Sequence, residues 1–73
     1  MEFELYKQAE EIVNQVAELT RHKEYILRNI TRDDMESRAK DNFCVYANLE
    51  GLRHSINLID AKIKELDDKF GKL

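Results

Sequence analysis

Proline is absent from this 73-residue chain, glycine occurs only twice and cysteine once. Without proline nothing in the backbone enforces a kink or a stop, and scarce glycine leaves little material for tight turns, so the composition favours long helices over strands. The lone Cys44 forms no intramolecular disulfide, and a single thiol in a small chain without a secretory signal fits a reducing compartment. Nor is there an apolar run approaching the roughly 18 residues of a membrane span. The N-terminal Met1-Glu2-Phe3-Glu4 lacks the basic start and apolar stretch of a signal sequence, so a cytoplasmic location with no membrane association is expected.

A basic excess is missing as well. The net charge is −3, which argues against a general nucleic-acid binder. The charge is uneven, however. Glu2, Glu4, Glu10, Glu11 and Glu18 outweigh Lys7 in the first stretch, whereas Arg21, Lys23, Arg28, Arg32, Arg38 and Lys40 outnumber the acids of the next. Core material is also limited, because a chain of this size buries only about 60% of its unfolded surface. With no disulfide available, self-association is the remaining source of stability.

What the chain does have is rhythm. Leu5, Ala9, Ile12, Val16, Leu19, Lys23, Ile26 and Ile30 alternate at spacings of four and three, the seam of a heptad repeat. Only Lys23 interrupts it. The same alternation runs through Val45, Leu49, Leu52, Ile56, Ile59, Ile63, Leu66 and Phe70. These seams predict helices over about residues 2–29 and 43–70 of a single domain, residues 1–73. Thr31 followed by Asp34 resembles a capping box, so a capped turn and a short helix are expected within about 31–42.

A short connection between two long helices implies antiparallel neighbours. The expected fold is therefore all-α, an antiparallel coiled-coil-like helical hairpin. Facing residue numbers should sum to about 73, with Leu19 opposite the Leu52 region. Each helix carries a second apolar edge. On the first it is Tyr6, Val13, Thr20 and Leu27, with Phe3 and Ala17 nearby; on the second it is Cys44, Ala47, Gly51, Ser55 and Leu58. Two helices cannot bury both edges against each other, so dimerisation into a four-helix bundle is the expected completion, with Tyr6, Val13, Leu27, Cys44, Ala47, Gly51 and Leu58 at the oligomer interface.

Motifs for chemistry are weak. Cys44 with His22 or His54 is a poor nucleophile constellation, since a hairpin offers neither an oxyanion site nor a pocket, and a cysteine on an apolar edge more often packs as a small buried hydrophobe. His22 and His54 fall at comparable heights in the expected register, but no zinc-ligand spacing accompanies them. Gly51 and Gly71 form no phosphate loop. No catalytic residue, cofactor or metal is therefore expected, and the chain is not read as an enzyme. The same register brings Arg21, His22 and Lys23 level with Arg53 and His54 beside the notch at Gly51. Such a cationic band would hold a phosphate, a nucleotide or an acidic peptide, with Tyr25 or Tyr46 for stacking. The plainer reading is that these cations pair with Glu18, Glu24 and Glu50 on a solvated face. Lys23 either sets register or lays its stem along the seam with its head in water.

The function expected from all this is a small homo-oligomeric interaction protein, an adaptor, regulator or inhibitor of a larger partner. The alternative is an oligomer that sequesters an anionic small molecule or nucleotide at a subunit boundary. An enzyme is a distant third.

Overall fold

The computed structural model describes residues 2–73. Three helices account for nearly all of them: α1 (Glu2–Arg32), α2 (Met35–Arg38) and α3 (Phe43–Gly71). Helix α1 begins with Glu2 and Glu4 in its first turn and ends on Arg32, an arrangement that opposes the helix dipole at both ends. It fills the full run of the first heptad pattern and three residues more.

Thr31 does not start a helix. It lies inside α1 and its hydroxyl donates to the Leu27 carbonyl at 3.1 Å, which removes the expected capping box. The chain leaves α1 through Asp34, whose φ of 49° and ψ of 43° place it in the left-handed region, a conformation that aspartate tolerates better than most residues. Its side chain makes no cap hydrogen bond. Arg38 donates from Nη1 to the Asp33 carbonyl at 3.1 Å and ties the single-turn α2 back to the bend. The true cap is Asn42: its Oδ1 accepts from the backbone N–H groups of Cys44 at 3.0 Å and Val45 at 3.3 Å and so starts α3.

Both heptad seams face inward as the pattern predicts. Ile12, Ile26 and Ile30 of α1 and Leu49 and Leu66 of α3 are buried, together with Met35 of α2. Ala9, Val16, Leu19 and Lys23 are half-buried on α1, as are Val45, Leu52, Ile56, Ile59 and Ile63 on α3. Only the ends, Leu5 and Phe70, stay exposed. The main cluster joins Ile26, Ile30, Met35 and Leu49, with Ala39, Val45, Leu52, Ile56 and Ile59 against it. It sits at the turn because α2 there adds a third element over the pair.

The register differs from the expected one. Lys23 Nζ lies 2.7 Å from Asp60, whereas a sum of about 73 would have put it opposite Glu50. Further along, Ile12 and Leu66 flank one groove and Asn29 and Leu52 another. The physical reason is α2: the start of α3 extends past the end of α1 to pack on Met35 and Ala39. The helices are consequently staggered. Helix α1 alone would span about 46 Å at 1.5 Å per residue, yet the molecule is 58 Å long and 17 by 13 Å across. The excess over α1 lies at the turn end, where α2 and the start of α3 run past Arg32; at the other end Phe3, Leu5 and Tyr6 of α1 project beyond α3 and are exposed.

Candidate functional site

Position along the helices decides which charges meet. With Lys23 level with Asp60, Arg53 falls level with the last turns of α1, roughly 13 Å along the axis from Arg21. The expected band of Arg21, His22, Lys23, Arg53 and His54 is therefore not assembled. Arg53 instead donates to Glu50 at 3.0 Å and reaches Glu36 of α2 at 3.2 Å. The Glu50 hydrogen bond raises the Arg53 pKa above its ordinary value, with Glu36 adding to it, and the charged guanidinium links α2 to α3 at the surface. His22 and His54 are likewise separated in height, and among the described residues no group of three or more His, Cys, Asp or Glu lies close enough to hold a metal ion.

The predicted pairing partners are only partly right. Of Glu18, Glu24 and Glu50, Glu50 alone forms an ion pair, the one to Arg53; Arg21 and Arg28 form none among the described residues. These two arginines lie one heptad apart on the same side of α1. Together with His22, Tyr25 and Lys62 they line an open groove of about 740 Å³ that continues to Gln15, Glu18 and Leu19. The Tyr25 and His22 rings lie 6.4 Å apart at an interplanar angle of 23°. Lys62 is brought across from α3 and also pairs with Glu65 at 3.2 Å. Arg28 and Lys62 were not in the expected band. The heptad spacing of Arg21 and Arg28 was a readable signal; the place of Lys62 depended on the register.

Lys23 follows the stem-along-the-seam reading. It is half-buried along the seam, and its ammonium emerges to meet Asp60. Tyr46 belongs to another neighbourhood. It packs near Phe43, with ring centroids 6.1 Å apart, and borders a groove with Glu36, Ala39 and Arg53 at the turn end.

The second apolar edges are open. Tyr6, Val13 and Leu27 on α1 and Leu58 on α3 are exposed, as are Ala47 and Gly51. Cys44 is exposed too, contrary to the packed position expected of it, because it points away from α1 at the outer face of α3. A Cβ added at Gly51 would meet nothing within 4 Å. The two edges do not share a face. Thr20 and its neighbours flank the seam on the side where Lys23 meets Asp60, whereas Gln8, Gln15, His22 and Asn29 flank the other side, beside Lys62, Lys69 and Asn48 of α3. Cys44, Gly51 and Leu58 lie beyond Asn48, Ser55 and Lys62 on that second side, by the 3.6-residue period of α3.

The fold thus defines the chain as a staggered α-helical hairpin with open apolar edges. No family model matches it, and no curated protein or solved structure is significantly similar. Among the described residues no helix is long and apolar enough to cross a membrane.

Proposed function

We propose that the protein works by association: a helical hairpin that docks copies of itself through its exposed apolar edges and, so assembled, binds a larger partner as an adaptor, regulator or inhibitor. In its smallest form the assembly is two hairpins forming a four-helix bundle. The observation that carries this reading is the surface left uncovered. The chain exposes 5957 Å², against about 4,700 Å² for a typical folded monomer of its mass. That excess, about 1,200 Å², exceeds the roughly 800 Å² that each partner contributes to a standard interface. Exposed large apolar side chains, Phe3, Tyr6, Val13 and Leu27, fall in a line along α1. Sedimentation velocity across the micromolar range tests it. A mass that rises above 8.7 kDa with concentration supports the proposal, and a constant monomer removes it.

A second reading is favoured by the groove at Arg21, Arg28 and Lys62. Two arginines without carboxylate partners, next to Tyr25 and His22, suit a phosphate with an aromatic group attached, such as a nucleotide. Titration with a nucleoside triphosphate, followed by calorimetry, should give binding that the Arg21→Ala/Arg28→Ala variant loses and Arg53→Ala keeps. Equal affinity in all three would leave the groove as a solvated face.

A further inference from the structure

Resting on the self-association proposed above, we infer that copies join through unlike faces, the outer edge of α1 in one copy against the outer face of α3 in the next. Three observations converge. The two open edges lie on opposite sides of the hairpin, so a two-fold contact that buries one of them in both copies leaves the other uncovered in both. Pairing unlike faces covers each edge with the other and repeats from copy to copy.

The faces also match in shape and charge. On α1 the edge is bulky and carries acids, with Phe3, Tyr6 and Val13 exposed and Glu10 between them. On α3 the outer edge runs through Cys44, Ala47, Gly51, His54 and Leu58, small residues apart from His54 and Leu58, and the one acid beside it, Glu50, is paired with Arg53. Both edges advance by alternating steps of three and four. Set antiparallel, they come into one register that places Tyr6 on Leu58, Glu10 on His54 and Val13 over Gly51. In that register the open space above Gly51 receives a side chain, and the projecting start of α1 gains the helix neighbour that α3 of its own chain does not supply. Divided over the two contacts each copy makes, the excess surface leaves about 600 Å² for each, the scale of a small, reversible interface.

Two single-face variants test the arrangement. Val13→Glu blocks the α1 edge and Gly51→Glu blocks the α3 face; both positions are exposed and helical, and Leu58→Lys serves as a second α3-face variant if Gly51→Glu loses its far-UV circular dichroism. In sedimentation velocity the parent should grow past two copies as concentration rises, and each variant alone should sediment as a monomer. An equimolar mixture of the two should form a one-to-one pair and stop there, because each supplies the face the other lacks. A parent that stays at two copies, an α3-face variant that associates as well as the parent, or a mixture that remains monomeric would each overturn the unlike-face arrangement while leaving self-association standing. A parent monomeric throughout overturns both.

Discussion

The turn end and the open end of this hairpin are built from the same heptad rhythm and reach different degrees of closure. At the turn, α2 lays Met35 over Ile26, Ile30 and Leu49, and Leu49 is only 2% exposed. At the open end Leu66 and Ile12 are buried, but Leu5 and Phe70, which continue the same two seams, are left exposed. Leu5 is exposed because α1 runs on past the end of α3, whereas Phe70 lies in the last turn of α3 and stays exposed with α1 still alongside. Two helices suffice to bury Leu66 and Ile12, and at the turn the third element adds Met35 and joins its neighbours into one cluster. Between the two ends, Val16, Leu19 and Lys23 are half-buried, so the middle of the molecule is intermediate in kind.

The comparison is broken most severely at the turn. Leu49→Ala should cost about 2–5 kcal/mol, because it empties volume at the centre of the main cluster, and that approaches the whole stability of a small domain. Leu66, although as buried as Leu49, lies outside the three-element cluster, so Leu66→Ala should fall at the lower end of that range. Urea denaturation followed by circular dichroism separates the two; equal costs would show that the ends are equally closed.

Asn42→Ala should cost about 1 kcal/mol by leaving the N–H groups of Cys44 and Val45 without their acceptor. Its effect belongs to the turn end, so hydrogen exchange should quicken at the start of α3 before it does at Leu66. Gly51→Ala acts in the opposite direction. Its added methyl group meets nothing, and alanine in a helix interior is favoured over glycine by about 1 kcal/mol, so the dilute protein should be stabilised. Measured against concentration, the same variant should lose less stability on dilution than the parent if the α3 face is an interface.

The smallest effect is expected in the middle. The Lys23–Asp60 pair is partly exposed, with side-chain exposures of 32% and 48%, and pairs of that kind contribute about 0–1 kcal/mol. Asp60→Asn should therefore change the denaturation midpoint little and reduce its dependence on salt. Lys23→Leu, which completes the apolar seam, should stabilise the hairpin.

Local chemistry explains what could be read from the chain alone. A heptad step of three and four residues decides which side chains share one helix face, so both long helices, their inward seams and the half-buried place of Lys23 were legible without a structure. The second edges were legible for the same reason: Tyr6, Val13 and Leu27 recur every seven residues. The composition favoured long helices over strands before any pattern was considered.

Tertiary structure alone decided how those faces meet. Periodicity says nothing about the relative sliding of two helices, and the slide here depends on a ten-residue connection, residues 33–42, in which one turn of helix packs under the start of α3. That slide separates Arg53 from Arg21, brings Lys62 to the arginines of α1 and leaves Phe3 and Tyr6 beyond the end of the hairpin. The caps show the same division at short range. Thr31 read as a helix start in the sequence, but α1 continues through Arg32, with Ile26 and Ile30 packed against Met35 and Leu49, and the cap that starts α3 is Asn42.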